Sequence, residues 1–379
     1  MILGIDASNI RVGGGVTHLV ELLRAAKPIE NGFTKVFVWG GKNTLDKIED
    51  RQWLVKVVEP LLNKSLFHRT FWQRFLLSKR ARQTNCDILF IPGGTYSGSF
   101  RPFVTMSQNL LPFEWKERKR YGFSLFGFKL LLLKSTQLNT FKKANGVIFL
   151  TNYARKAVLD LCFLSLAKTV IIHHGINKKF YSEPKIPKNK NEVSLYNPLK
   201  VLYVSFIGQY KHQWNVVDAI GILKGKNYPV ELCLVGSPDE KDALKKLEDT
   251  IKKVDNEGKF IKYFSKVSYS EIEEKYKEAD IFLFASSCET FGQILTEAMA
   301  AGLPIACSNL SAMPELLGDA GVYFNPEQPE EIANALETLI NSVELRSKLS
   351  NLAFEKSKNF SWEKCANETF SFLELVTKQ

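Results

Sequence analysis

The chain has 379 residues, 45% hydrophobic and 24% charged, the balance of a globular protein and not of a disordered or fibrous one. Its length exceeds one ordinary domain, so two are expected, and no apolar run approaches the ~20 residues of a membrane-spanning helix. The net charge of +11 is unevenly spread: residues 1–199 hold 31 Lys+Arg against 13 Asp+Glu, whereas residues 200–379 hold 20 against 27.

In the first half, the apolar runs ILGIDA, KVFVWG, WLVKVVE, CDILFIP, FVTMS, NGVIFLT and KTVIIHH predict seven strands with helical stretches between them. The chain opens directly on a strand-like run, so no secretory leader is expected. Gly13-Gly14-Gly15 follow the first strand and precede a helix predicted from near Thr17. A glycine-rich strand-to-helix turn lets a phosphate or sugar approach backbone N–H groups, which makes Gly14 and Gly15 candidate contacts, although many such turns are glycine-rich for steric reasons alone.

Two stretches interleave aromatic residues with Lys and Arg. One is HRTFWQRFLLSKRAR, at helical spacing; the other is LLPFEWKERKRYGFSLFGFKLLLLKSTQLNTFKKA, residues 110–144. Their composition suits an anionic lipid surface, and equally an amphipathic helix packed on its own domain. No nucleic-acid-binding motif is present, so nucleic acid is not an expected partner. Gln108 and Asn109 follow the fifth strand; their amides can hydrogen-bond a sugar or phosphate but cannot serve as a proton base. His173 and His174 lack metal-ligand spacing.

YSEPKIPKNKNEVSLYNP is rich in Pro, Lys and Asn and has no apolar period, so a linker is predicted over residues 181–199. Beyond it, KVLYVSFI, PVELCLVG, FIKYFSKV, ADIFLFAS, LPIACSN and GVYFN predict six more strands. Alternating strands and helices predict an α/β protein of two Rossmann-like domains, residues 1–180 and 200–360, facing each other across a cleft. Helix starts are predicted at Ser237-Pro238-Asp239-Glu240 and at Ser268-Tyr269-Ser270-Glu271, each with a capping residue and an acidic partner. FSWEKCANETFSFLELV is a final amphipathic helix. Six scattered cysteines without C-x-x-C spacing read as reduced core residues of a cytosolic protein.

The segment CETFGQILTEAMAAGLP carries the strongest chemical signal. Glu289 lies just after a buried strand, and a helix is predicted from Gln293 to Ala301, ended by Gly302 and Pro304. Two carboxylates, Glu289 and Glu297, are acceptors suited to sugar and ribose hydroxyls. The helix tip between them, formed by Phe291, Gly292, Gln293 and Ile294, offers N–H groups and partial positive charge to a phosphate.

With its continuation GLPIACSNLSAMPELLGDAGVYFNPEQPEEIANAL, this segment resembles the C-terminal signature of the retaining, family-four glycosyltransferases of the GT-B fold. The resemblance implies transfer of a hexose from a nucleotide-sugar donor with retained configuration, and GDP-mannose is favoured because YKHQWNVV is similar to the mannosyltransferases of that group. It also implies that Glu289 holds sugar hydroxyls, Glu297 the ribose, Lys211 the diphosphate, and backbone groups around Lys266 and Val267 the base. The final helix, about 361–379, is implied to pack back on the N-terminal domain.

One departure stands out: the family's arginine position holds Phe206. No D-x-D pair is present, so no metal or other cofactor is expected. The basic first domain is expected to hold a lipid-linked saccharide acceptor at the inner face of a bacterial cytoplasmic membrane, as in lipopolysaccharide O-antigen or capsule assembly. A sugar-nucleotide epimerase of the same fold and a non-catalytic sugar-nucleotide-binding protein are the alternatives.

Overall fold

A computed structural model describes residues 1–265 and 267–379. The chain forms two compact units, Met1–Gly175 with Phe360–Gln379, and Ile176–Asn359. The first unit is built on strands β1 (Ile2–Asp6), β2 (Lys35–Gly40), β3 (Leu54–Val58), β4 (Ile88–Ile91), β5 (Phe103–Ser107), β6 (Gly146–Phe149) and β7 (Thr169–Ile171). All pair in parallel, in the order β3-β2-β1-β4-β5-β6-β7. The second unit contains β8 (Leu199–Val204), β9 (Val230–Val235), β10 (Ile261–Phe264), β11 (Ile281–Phe284), β12 (Ile305–Ser308) and β13 (Gly321–Phe324), parallel in the order β10-β9-β8-β11-β12-β13.

Each predicted apolar run is therefore a strand. β4, β5, β6, β11 and β12 are buried along their whole length, because helices on both faces of a parallel sheet leave no side for polar residues. In each sheet the winding direction reverses once, between β1 and β4 and between β8 and β11. Crevices at the carboxyl ends of the strands open at such reversals, and ligands collect there.

Local details depart from the sequence reading in three places. Helix α1 (Gly14–Ala25) begins three residues before Thr17, because Gly13 takes φ 68°, ψ −156° and its carbonyl accepts the Val16 and Thr17 amides. The helix predicted from Ser237 begins at Lys241, with Glu240 at its cap. There the Ser237 hydroxyl donates to Asp239 and the Glu240 carboxylate accepts from the Gln209 amide, so neither forms the predicted capping box. At Ser268 that box is present, opening the helix Tyr269–Glu278. HRTFWQRFLLSKRAR folds as a helix whose middle, Trp72–Leu77, winds as a π-helix between Leu66–Phe71 and Ser78–Gln83.

Residues 181–199 run along the second unit. The Ser182 amide donates to Ala300 O (3.0 Å), the Lys188 ammonium pairs with Asp280 (2.8 Å), and the Arg346 guanidinium donates to Lys188 O (2.6 Å). The last helix, Trp362–Thr377, belongs to the first unit. Phe370 meets Phe33 edge-on at 5.9 Å, the Ser371 hydroxyl donates to Asn31, and Trp362 stacks on His174, which stacks on His18 of α1.

Candidate functional site

In the second unit the loops after β8 and β11 bring together two side chains 78 positions apart. The chain leaves β8 through a short 3₁₀ turn, Gln209–Lys211, and re-enters helix at Gln213 through His212 in the left-handed conformation (φ 53°). His212 is fixed by a 2.9 Å hydrogen bond between its Nε2 and the Ser287 hydroxyl in the loop after β11. The Tyr203 hydroxyl on β8 donates to Lys211 O. These restraints drive the Lys211 side chain inward, where its ammonium is ion-paired with the Glu289 carboxylate.

Lys211 is only 6% exposed and Glu289 18%. The rings of Phe206 and Tyr210 stand 4.9 Å from the ammonium and that of Phe284 5.7 Å. A charge so enclosed needs a partner, and in this molecule Glu289 supplies it while the rings add cation–π attraction. Phe206, at the position the resemblance assigns to an arginine, is thus one wall of the lysine's box. Ser311 fixes Glu289 from behind, accepting from its amide and donating to its carbonyl, both at 2.9 Å. Sequence reasoning missed Ser311, whose only signal was its place in the SNLSAMPE continuation of the signature.

The helix Gln293–Ala300 begins at Gly292, which adopts φ 74°, ψ 55°. No side chain caps this end and its first turn carries no acidic residue, so the positive end of the helix dipole meets no acid from its own first turn. Phe291 is buried, and Gln293 and Ile294 are half-buried. Glu297 lies further along the helix and is 8% exposed. Burial pushes its carboxyl up to about 8, against a smaller opposing effect of the Tyr276 hydroxyl, which donates to it at 3.2 Å. At neutral pH the group is therefore a carboxylic acid, able to donate as well as accept, where the sequence suggested an ionised acceptor. Val267 is half-buried in the turn between β10 and the Tyr269–Glu278 helix; Lys266 lies outside the described residues.

In the first unit, Gly14 and Gly15 form the first turn of α1. A side chain on Gly14 would meet nothing within 4 Å, whereas one on Gly15 would come 3.7 Å from the Gln108 amide oxygen. Gly15 and Gln108 are thus neighbours at the carboxyl ends of β1 and β5, with the Gln108 amide anchored to Pro92 O at 3.0 Å. Asn109 is exposed, and its side-chain oxygen accepts from the Leu111 amide in a local turn.

Neither Asp6, buried at the end of β1, nor Gln73 carries a signal in the sequence. The π-helical turn swings Gln73 inward to donate to Asp6, Ser8 Oγ and Thr95 O. Burial raises the Asp6 pKa despite these bonds. Among the described residues no three His, Cys, Asp or Glu side chains gather as a metal-ligand set, and no helix is long and apolar enough to cross a membrane.

Two family models cover most of the chain: Glycosyltransferase Family 4 matches residues 12–180 and Glycosyl transferases group 1 matches residues 185–356. Among curated proteins, the O-antigen chain mannosyltransferase B of Escherichia coli is 30% identical over 117 residues, 31% of each chain. The matched stretches span about a third to a half of the first two curated relatives. Among solved structures, the sucrose-phosphate synthase of Thermosynechococcus elongatus superposes with TM-score 0.77 at 16% identity, over 97% of both chains. The Anabaena protein HepE in complex with UDP-glucose superposes with TM-score 0.69 at 17% identity, over 98% of this chain and 99% of that one. At these identities the superpositions establish the fold.

Proposed function

Because the chain belongs to the family-four glycosyltransferases of the GT-B fold, we propose that it transfers a hexose, with retention, from a nucleotide sugar to a lipid-linked saccharide. The observation that carries this reading is the second-unit constellation: Lys211 paired with Glu289 beside the uncapped Gln293–Ala300 tip, with Glu297 on the same helix. In the reaction the bond from the anomeric carbon to the diphosphate oxygen breaks, and its electron pair leaves with the diphosphate. A bond from the acceptor oxygen forms on the same face, and the acceptor proton passes to the departing phosphate. Negative charge grows on that leaving group, so Lys211 and the helix N–H groups act where stabilisation counts. Glu289 holds sugar hydroxyls and Glu297 the ribose, with Phe291, Gly292, Gln293 and Ile294 around the phosphates and backbone near Val267 at the base. With the leaving charge met in this way, no metal is assigned a step.

The likeness to a protein named for O-antigen chain mannosyl transfer favours GDP-mannose as donor and a surface-polysaccharide acceptor. Gly14, Gly15 and Gln108 lie at the mouth of the first sheet, where the acceptor is assigned, with Asn109 at its rim. Membrane docking is assigned to the same unit, at the inner face of the cytoplasmic membrane. Phe123 is fully exposed, Leu125 is 83% and Phe67 76% exposed, and Trp115 lies beside Arg118. Apolar side chains standing in water among cations suit an anionic bilayer surface. Sedimentation with phosphatidylglycerol vesicles but not phosphatidylcholine vesicles is expected; equal sedimentation with both removes the docking.

The test of function is a thermal-shift screen against UDP-, GDP-, dTDP- and CMP-sugars. One nucleotide class should stabilise the protein by mass action. Failure of every class to bind overturns the proposal, and turnover of the free donor without an acceptor would turn it into an epimerase.

A further inference from the structure

The first sheet's switch point carries two arginines that no carboxylate among the described residues answers. Asn9, in the loop after β1, donates from Nδ2 to Thr95 Oγ1 in the loop after β4 at 3.0 Å, so the bond bridges the crevice between the two strands. The same Asn9 accepts at Oδ1 from Nη1 of Arg69 (3.0 Å), on the helix ahead of the π turn. The Arg69 Nε–H is buried and has no hydrogen-bond partner among the described residues. Arg11, on the β1 loop, donates to the carbonyls of Lys64 and Asn63, at 3.2 and 3.4 Å. Its charge lowers the Arg69 pKa, second to the effect of burial. Among the described residues neither guanidinium lies within 4 Å of an acidic side chain, whereas Arg24, Arg80 and Arg120 each have one.

Two like charges held near each other, one with a buried unused donor, are unfavourable unless an anion completes them. Guanidinium pairs match phosphate oxygens in shape and charge. Gly13 and the α1 tip on the same loop add no opposing acid, since the first turn of α1 carries none.

We propose that Arg11 and Arg69 form an anion subsite in the first unit that binds a diphosphate group, the group that joins a lipid carrier to its saccharide. This rests on the reading of the acceptor as lipid-linked. The same chemistry could come from free pyrophosphate, so two probes are needed: geranyl diphosphate and inorganic pyrophosphate, each titrated calorimetrically against the full chain. The double variant Lys211→Met with Glu289→Leu serves as background, to weaken diphosphate binding in the second unit without leaving an enclosed charge unpaired.

On that background, Arg11→Ala and Arg69→Ala should each weaken geranyl diphosphate binding about tenfold, the value of one charge-assisted contact. Arg69→Lys should recover part of the loss. Weaker pyrophosphate binding than geranyl diphosphate binding identifies the lipid-linked source, and equal binding of the two identifies a free anion; either supports the subsite. Arg11 is exposed, so its variant remains informative if Arg69→Ala fails to fold. Binding within twofold of the background protein in both variants, or no binding of either probe, overturns the subsite.

Nucleoside diphosphate binding, measured in parallel on chains with Lys211 intact, should be the same with and without the arginine substitutions. Its absence from the unaltered protein would sink the donor reading instead.

Discussion

Helix α1 and the Gln293–Ala300 helix begin alike and bury opposite chemistry. Each follows a parallel strand next to the switch point of its sheet, each is capped by a glycine at positive φ, and neither has a side-chain cap or an acid in its first turn. Five residues beyond each glycine sits a buried titratable group, His18 in one and Glu297 in the other. Burial drives His18 down to about 4 and Glu297 up to about 8, so both are neutral at pH 7. The same architecture therefore leaves a polarised, uncharged helix tip in both units. Among the described residues only the second unit places an internal ion pair beside the tip, and that asymmetry separates the proposed diphosphate-leaving site from the proposed acceptor side.

The largest expected effect, on turnover and stability together, comes from breaking that asymmetry. Glu289→Ala leaves Lys211 enclosed by three aromatic rings without a counter-charge. It should cost about 3 kcal/mol of stability and lower kcat about 10²- to 10³-fold. Lys211→Met combined with Glu289→Leu should restore most of the stability in urea melts while leaving turnover lost. Recovered turnover in the double variant would mean that the pair is a structural device.

The next two effects are pH profiles of opposite sign. The Glu297 carboxyl ionises near 4.5 in the unfolded chain and near 8 in the native one, so the native state holds the extra proton between these values. Stability should fall as pH rises from 4.5 to 8, on the order of 4 kcal/mol in all, and Glu297→Gln should flatten that fall. The variant should match the parent at low pH and exceed it at pH 9, with weaker donor-induced stabilisation.

His18 behaves in reverse. Unfolded imidazole takes up its proton near 6.5 and the native one near 4, so stability should fall as pH drops through this window, by about 3 kcal/mol. His18→Leu should remove that acid limb, read from urea midpoints at pH 4 and 7. Profiles of the same sign in the two parents' limbs would break the symmetry drawn between the helices.

How much of this could be read from the chain depends on the range of the interactions. All thirteen strands were legible, because a doubly covered parallel strand such as IFLF (residues 281–284) must be apolar throughout. Glu289, Gly292 and Glu297 were legible because one short segment holds them. The Lys211–Glu289 pairing was not, since nothing local to either residue dictates a contact made through the packing of two loops. The π turn at Trp72–Leu77 has no compositional mark, and with it went Gln73 and its bonds to Asp6. At Ser237 the local pattern misled: Glu240 matched a capping box, but the Gln209 amide from another loop claims its carboxylate.

The smallest effects test the caps themselves, which share φ but not ψ. Gly292, at φ 74° and ψ 55°, lies in the left-handed helical region, which asparagine tolerates. Gly13, at φ 68° and ψ −156°, lies in a region that is nearly exclusive to glycine. Space argues the other way, since a side chain at Gly13 would meet nothing within 4 Å and one at Gly292 would stand 3.3 Å from the Met313 sulfur. Backbone strain of about 1–3 kcal/mol outweighs a contact that a flexible methionine can relieve by a small shift. Gly13→Asn should therefore destabilise the protein by more than Gly292→Asn, despite its empty surroundings, with urea midpoints ordered accordingly. The reverse order would mean that packing against Met313, and not the backbone, dictates glycine at the second tip.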